Sequence, residues 1–438
     1  MKHRPTLRTL STTAGFSGGM KQMPLAGRSS GHLPIISNRG HSLHRKFQMT
    51  ARALFHAVFL SATLIFTSSP AHAETASVIE TLRVPDRGIQ PQIRTDSRGR
   101  VHMIYFKGDP MRGDIFYVRS DDAGVTFTTA IRVNSQPNSV IAIGTVRGPH
   151  IGLGRNDRVH VAWMGSNLAE PKPGPKSIPM LYSRLNDAGI EFEPQRNLIQ
   201  KHAGLDGGGA LAADSEGNVY VAWHAPDGGE GEAHRYVWIS RSHDDGKTFE
   251  AETAAFSTQT GVCGCCGINI EIAPKDRVYI LYRAAREMVN RDAVLLASED
   301  RGVTFKPLIT DPFKSGTCAM STFRFAESAD STLVAWETQK QIRFVQLRPG
   351  DRSPGELASV PGKGGDRKHP AVAANKNGEF IVAWAEGTDF NKGGSVAWQV
   401  FDRDGKPESG KSGRAAGLPA SGLPAVFVTK DGTFKIVF

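Results

Sequence analysis

One stretch of this chain recurs along its length, and it is clearest at residues 210–223, ALAADSEGNVYVAW. A short apolar run leads into a polar segment, after which Val219, Val221 and Trp223 alternate with other residues. Alternation with period two over β-branched and aromatic residues is typical of a strand, and an Asp/Ser/Gly cluster before it is typical of a turn. The stretch therefore predicts a β-hairpin.

The same hairpin can be read seven times. Its second strands end on Tyr105, Trp163, Trp223, Tyr282, Trp336, Trp384 and Phe438. The intervals are 58, 60, 59, 54, 48 and 54 residues, with room for two further strands between hairpins, as at 114–120 and 130–134. Four short strands per unit and no convincing amphipathic helix predict an all-β fold, a β-propeller of four-stranded antiparallel blades. Because no Pro/Ser-rich linker separates the repeats, we expect residues 74–438 to form one domain.

The first 73 residues differ from the rest in charge. They contain nine Lys or Arg and no Asp or Glu. The apolar run 53–66, ALFHAVFLSATLIF, follows Arg45, Lys46 and Arg52 and precedes a small-x-small site at 71–73. This arrangement predicts a cleavable signal peptide, the signal proper at about 49–73, and an exported protein that is periplasmic or secreted. Met49 is a plausible start, and a retained anchor or a short buried strand are the alternatives.

The net charge of +10 belongs to this N-terminal segment. Without its nine basic residues, 44 Lys or Arg stand against 43 Asp or Glu. The mature chain is therefore nearly neutral, and we expect neither nucleic acid nor, after signal cleavage, a membrane as its partner.

A second signal follows the third strand of the early repeats. It reads SDDAGVTF at 120–127, SHDDGKTF at 242–249 and SEDRGVTF at 298–305, with a weaker copy, LNDAGIEF, at 185–192. In the pattern S-x-D-x-G-x-T-F the Asp can accept backbone N–H groups, the Gly can take positive φ, and the aromatic ring can pack over the hairpin. We expect these boxes to be structural turns.

These boxes resemble the Asp-box, or BNR, repeats of the sialidase superfamily, and the resemblance covers residues 77–438. It implies a β-propeller, six-bladed in the sialidases, with a substrate site where the first strands open onto the central channel. Here six complete repeats and a terminal hairpin, 424–438, can be counted, and residues 76–84 could supply the strand that closes the ring. We therefore predict seven blades, with six as the alternative.

The resemblance also implies an exo-acting glycoside hydrolase on sialylated or related acidic glycans. Sialidases bind the substrate carboxylate with three arginines, attack with a Tyr paired to a Glu, and use an Asp as acid/base. At the first arginine position this chain has Ile89; Arg87 lies two residues earlier, and Arg147 recreates the triplet's spacing one blade later. The acid/base position falls in a loop that offers Asp109 and Asp114.

The remaining family positions match less well. Arg283 stands at the second arginine position, and the third has no sure counterpart, although Arg324 and Arg367 are near. The family's Glu falls near Cys266, and its Tyr nucleophile falls at His369. The pairs Tyr282-Arg283 and Arg291-Asp292 also resemble a poorly characterised exported branch of these proteins. The catalytic candidates are Asp114, Arg283, His369, Arg147 and Arg291, with Asp292 as the expected partner of the arginines.

All four cysteines of the chain should converge at the channel mouth. Cys263, Cys265 and Cys266 precede the first strand of the fourth blade, and Cys318 holds the corresponding place in the fifth. Because exported chains usually oxidise their cysteines, up to two disulfides can form, with Cys265 and Cys266 each paired to Cys263 or Cys318 and not to each other. The alternatives are a soft-metal site for Cu(I) or Zn, with Met320 or His369 close by, and redox chemistry.

Further channel-facing candidates are Lys368 and His150, for which a solvated loop position is the alternative. The segment 206–209, DGGG, is typical of a tight turn, and its backbone N–H groups could also bind an anion. No cofactor is expected, with a soft metal, Cu or Zn, at the cysteines as the alternative. Two functions remain open at this point. One is the glycan hydrolase, and the other is a non-catalytic propeller that binds a protein, a glycan or another small acidic ligand, or a soft metal.

Overall fold

The computed structural model describes residues 79–144, 146–287, 289–328, 330–349, 354–389 and 391–438. The predicted signal peptide lies outside these residues. The described residues form 27 strands and three single turns of 3-10 helix, at Pro85–Arg87, Arg155–Asp157 and Glu232–His234. None of the described helices has the length and apolarity that a membrane span requires.

The strands form seven sheets, six of which have four antiparallel strands in chain order. We number the sheets as blades, from the inner strand outward. Blade 1 comprises β2 (Ile89–Thr95), β3 (Val101–Asp109), β4 (Arg112–Ser120) and β5 (Ile131–Arg132). Blade 2 comprises β6 (His150–Leu153), β7 (Val159–Met164), β8 (Met180–Arg184) and β9 (Arg196–Asn197). Blade 3 comprises β10 (Gly209–Ala213), β11 (Val219–Pro226), β12 (Arg235–Ser242) and β13 (Thr253–Ala254).

The next three blades repeat this order. Blade 4 comprises β14 (Asn269–Ala273), β15 (Arg277–Arg283), β16 (Ala293–Ser298) and β17 (Lys306–Asp311). Blade 5 comprises β18 (Arg324–Glu327), β19 (Thr332–Thr338), β20 (Gln341–Leu347) and β21 (Ala358–Ser359). Blade 6 comprises β22 (Arg367–Ala374), β23 (Phe380–Glu386), β24 (Gly394–Phe401) and β25 (Pro407–Leu418).

Blade 7 joins the two ends of the described chain. The hairpin β26 (Ala425–Val428) and β27 (Phe434–Val437) is antiparallel, and β1 (Glu80–Leu82) pairs in parallel with β27. The prediction that an N-terminal strand closes a seven-bladed ring is confirmed. This blade has three strands instead of four. Its closing strand comes from the far end of the chain and not from a tight turn, so hairpin geometry does not impose an antiparallel direction on it.

The blades are arranged radially. The inner strands β2, β6, β10, β14, β18, β22 and β26 each lie beside the next, and β26 lies beside β2. Apolar clusters fill the space between neighbouring blades, as β11 shows. Its residues Val221 and Trp223 pack towards blade 2, whereas Tyr220 and Ala222 pack towards blade 4. The alternation in the sequence therefore marks one of two buried faces, because each blade is covered on both sides.

The three close copies of the box form the same turn. In the first copy the Ser120 hydroxyl donates to Asp122 Oδ1 at 2.8 Å and accepts from the Gly124 N–H at 2.7 Å. Asp122 also accepts from the backbone N–H and the hydroxyl of Thr126, at 2.8 and 2.6 Å. Gly124 has φ of +84°. Residues 242–248 and 298–304 repeat these bonds. The predicted turn chemistry of the boxes is confirmed.

Candidate functional site

The four cysteines meet at the end of the ring where the inner strands begin, which we call the mouth. Cys265 and Cys318 form a disulfide between residues 53 apart in sequence, joining the loops that precede blades 4 and 5. The Cys263 sulfur lies 3.4 Å from that of Cys265 and 3.5 Å from that of Cys266. The predicted convergence is confirmed, with one disulfide and two free thiols. We call these four residues the cysteine cluster.

The two free thiols are buried and share one hydrogen bond. Cys263 donates its S–H to the sulfur of Cys266, and this bond lowers the pKa of Cys266. Burial opposes the shift, whereas the Arg283 guanidinium and the backbone N–H groups of Ser321 and Met320 support it. The same bond, together with burial, raises the pKa of Cys263. A negative charge on this pair is therefore most favourable on Cys266.

Arg283 is enclosed beside this pair. Its side chain is 0% exposed, and its Nη2 lies 3.6 Å from Glu337 Oε2. Its Nη1 donates to the Arg291 carbonyl at 2.7 Å, and its guanidinium lies over the rings of Phe313 and Phe323. The Nε atom is buried with no hydrogen-bond partner among the described residues. This arginine is therefore buried beneath the mouth and does not line an open site.

Arg291 is also paired within the protein. Its Nη1 donates to Glu232 Oε2 at 2.6 Å, and its Nε is a second buried donor that lacks a partner among the described residues. The expectation that Asp292 serves these arginines is wrong. Asp292 accepts from the Phe313 N–H at 2.9 Å and lies 3.8 Å from Arg286. Each arginine pairs instead with a carboxylate of a neighbouring blade. Arg283 extends to β19 of blade 5, and Arg291 extends to the loop of blade 3 that carries Glu232.

Asp206 connects two further arginines near the cluster. Arg147 Nε donates to the Asp206 carbonyl at 2.7 Å, and Arg147 Nη2 lies 3.6 Å from its Oδ1. Arg235 Nη2 lies 2.8 Å from Asp206 Oδ2. Glu232 accepts the Gly264 N–H at 2.8 Å, which ties this acidic and basic group to the cysteine loop. The segment 206–209 thus holds arginine side chains through Asp206, and anion binding by its N–H groups stays a prediction.

Asp114 and Asp109 stabilise loops. Asp114 Oδ1 accepts from the Asn134 side-chain amide at 2.7 Å and from the Asn138 N–H at 2.8 Å. Asp109 Oδ1 accepts the Met111 N–H at 2.9 Å. These bonds give both residues a structural part in their loops, and an acid/base role for either stays a prediction.

His369 lies at the mouth on the side of blade 6. Its backbone N–H donates to the Ser321 hydroxyl at 3.0 Å, and its Nδ1 lies 3.5 Å from the Thr322 hydroxyl. Burial, assisted by the charges of Lys368 and Arg324, lowers the pKa of His369 to about 3, so the ring is neutral. With Met320 and Lys368 it lines a cavity of about 20 Å³. Arg367, in contrast, pairs with Glu386 at 3.3 Å.

The channel is wide at the end opposite the mouth. A cavity of about 810 Å³ opens there, lined in part by Arg94, Glu271 and Glu327. Towards the mouth the space falls to about 10 Å³ between Gln90, Val146 and other side chains. Side chains from several blades therefore narrow the axis at this end, and a substrate site at the mouth stays a prediction.

The carboxylates that pair with the buried arginines were missed in the sequence. Glu232 lies in a loop after β11, and Glu337 lies near the end of β19. A buried arginine requires an anionic partner, which is the only signal that the sequence offers. This signal does not identify which acidic residue pairs with which arginine, because the pairs join residues that lie 54 and 59 positions apart.

Comparisons with solved structures give only distant likenesses. No protein-family model matches the sequence, and no curated protein matches it. A Dyadobacter fermentans protein of unknown function shares 16% identity, with 72% of this chain and 94% of that chain covered and a TM-score of 0.48. A Penicillium chrysogenum α-L-arabinanase complexed with arabinobiose shares 15% identity, with 74% of this chain and 95% of that chain covered and a TM-score of 0.47. A Trypanosoma rangeli sialidase shares 12% identity, with 72% of this chain and 54% of that chain covered and a TM-score of 0.48. These likenesses are distant and transfer no substrate to this chain.

Proposed function

We propose that this protein is an exported propeller that binds one soft metal cation, Cu(I) or Zn(II), at the cysteine cluster and does not hydrolyse glycans. The observation that carries the proposal is the convergence of the sulfurs. Those of Cys263, Cys265 and Cys318 all lie within 4.8 Å of one another, and Cys266 adjoins Cys263 at 3.5 Å. Thiolates are the ligands that select Cu(I) and Zn(II).

The surroundings favour a negative charge on Cys266. The hydrogen bond from Cys263 lowers the pKa of Cys266, and the Arg283 guanidinium supports that shift. At Cys263 the bond, burial and the charge of Glu232 raise the pKa, and Arg291 opposes the rise. Each arginine keeps a buried Nε donor without a partner among the described residues. A cluster of thiolates around a monovalent or divalent cation carries net negative charge, which these two donors would stabilise.

Metal binding at full capacity requires the Cys265–Cys318 disulfide to be open. A thiol reductant supplies two electrons and two protons, the S–S bond breaks, and the reductant leaves as its own disulfide. The four thiols then lose protons as the cation binds. The oxidised form retains only Cys263 and Cys266 as free ligands, so the redox state sets the affinity.

A second candidate is an acidic-glycan hydrolase or binder. Three arginines, Arg147, Arg235 and Arg291, lie close to the same loop, and guanidinium groups suit a carboxylate. Each of the three already has a carboxylate neighbour, in Asp206 or Glu232. This pairing favours the metal proposal over the hydrolase.

Anaerobic competition with a chromophoric Cu(I) chelator tests the proposal. We expect the reduced mature chain to withdraw one Cu(I) per chain from the chelator and the oxidised chain to withdraw less. Cys263→Ser and Cys266→Ser should each weaken binding. Met320→Leu tests the nearby thioether, with the exposed Met111→Leu as its matched control. Equal copper uptake by the reduced wild type and by both cysteine variants would contradict the proposal.

A further inference from the structure

Three cavities follow one another along the axis of the ring. Their volumes are about 810, 50 and 10 Å³ from the wide end towards the mouth. The first two share Arg94 as a lining residue, and the second and third share Arg324 and His150. The middle cavity therefore adjoins the wide opening, and Arg324 lies where the channel narrows.

Arg324 has no counter-ion among the residues that the structure describes. Its Nη1 donates to the Phe323 carbonyl at 3.0 Å, and its Nη2 is buried with no hydrogen-bond partner among the described residues. No carboxylate in the described part of the chain forms an ion pair with it. Burial and the charge of Arg94 lower the pKa of Arg324 to about 10, so it stays protonated at neutral pH. The charge of Arg94 is compensated by Glu271, since Arg94 Nη2 and Glu271 Oε2 are 2.7 Å apart.

A buried charge that lacks both a counter-ion and a full set of hydrogen bonds is strongly unfavourable. An anion that fits the space at Arg324 would supply both the counter-charge and the missing hydrogen-bond acceptor. We propose that the middle cavity binds one small monovalent anion, of the size and chemistry of a halide, against the guanidinium of Arg324 and the side chain of His150. This site is separate from the cysteine cluster and independent of the function proposed for it.

The size and lining of the cavity set the class of anion. About 50 Å³ accommodates one halide and excludes a sugar. Its polar lining beyond the arginines consists of His150, Gln92 and Asn269, and Ile151 and Phe325 are among its apolar walls. The Asn269 amide already donates to the Phe323 carbonyl at 2.7 Å. With few donors and apolar walls, the site suits a weakly hydrated anion such as chloride or bromide better than phosphate.

Bromide is the direct probe. Crystals of the mature wild-type chain grown or soaked in bromide should show an anomalous peak beside Arg324 Nη2. Arg324→Gln should remove this peak and weaken bromide binding roughly tenfold or more, because a hydrogen bond from a charged donor is lost. Absence of the peak from the wild-type channel would overturn the proposal, and this result does not depend on how the variant folds.

Thermal unfolding provides a solution test. Chloride should raise the Tm of the wild type relative to gluconate at equal ionic strength, since gluconate is too large for the cavity. The exposed variant Arg301→Gln should keep this chloride dependence, and Arg324→Gln should lose it. In gluconate alone, Arg324→Gln should unfold at the same temperature as the wild type or higher, because it removes an uncompensated charge. An unchanged chloride dependence in Arg324→Gln would overturn the proposal.

Discussion

The guanidinium of Arg283 and the carboxylate of Glu337 form an ion pair across the boundary between blades 4 and 5. Arg283 Nη2 and Glu337 Oε2 are 3.6 Å apart, and the two side chains are 0% and 3% exposed. Burial raises the pKa of Glu337, and the charge of Arg283 opposes that rise. The pair joins blades and at the same time places a positive charge beside Cys266.

Arg283→Met should destabilise the fold by about 3–5 kcal/mol, because it leaves the Glu337 carboxylate buried and unpaired. Urea unfolding measures this loss. The double variant Arg283→Met/Glu337→Leu should recover part of it, since neither charge is then left alone. A single variant as stable as the wild type would contradict this account of the pair.

The cysteine connectivity gives a second prediction. Peptide mapping of unreduced mature protein should find Cys265 linked to Cys318, with Cys263 and Cys266 free. Cys318→Ser should lower the unfolding free energy by about 4 kcal/mol, the loop-closure value for a segment of this length. A Cys263–Cys318 or Cys266–Cys318 link as the main product would contradict the connectivity.

Asp245 should set part of the acid stability. Its carboxylate pairs with Arg158 at 2.6 Å and lies 3.3 Å from His160 Nε2. Burial would raise its pKa, but His160 and Arg158 outweigh that effect and lower it from 3.8 to about 2. A depressed folded pKa contributes stability above the unfolded value, and that stability is lost as pH falls through the folded value.

The wild type should therefore lose about 2 kcal/mol between pH 4 and pH 2 that Asp245→Asn does not lose. Denaturant unfolding across this range measures the difference. Asp121→Asn, at an exposed carboxylate, is the control and should follow the wild type. If the unfolding free energies of the wild type and Asp245→Asn change in parallel with pH, the pKa of Asp245 is not lowered in the folded state, and the prediction is wrong.

The hydrolase alternative predicts turnover, and our proposal does not. We expect a panel of aryl sialosides and other aryl glycosides to stay intact with purified mature protein, because Arg283 is buried in an ion pair and His369 is neutral and enclosed. Release of the aryl group from any sialoside, abolished by Arg291→Lys in a folded variant, would support the hydrolase and contradict our proposal.

The sequence predicted the architecture well because the hairpin repeat and the box are local patterns. Val221 and Trp223 mark a strand, Asp122 and Gly124 mark a turn, and the repetition of both implies a ring. The convergence of Cys318 with Cys263 also followed from the repeat, since equivalent positions in neighbouring blades are neighbours in space.

The pairing of charges could not be predicted in the same way. Asp292 was the expected partner of the arginines because it adjoins Arg291 in sequence, but Glu337 and Glu232 reach them from other blades. The lone charge of Arg324 and the narrowing of the channel at the mouth depend on how seven inner strands point their side chains at a common axis. No pattern within one blade carries that information.

X-ray absorption at the copper edge tests the central claim most directly. Reduced mature protein loaded with one Cu(I) per chain should show a coordination shell made of sulfur, and this shell should change when Cys263 is replaced by Ser. A shell of nitrogen and oxygen only, or a spectrum that is the same with and without the Cys263 sulfur, would contradict the claim that the cysteine cluster is the metal site.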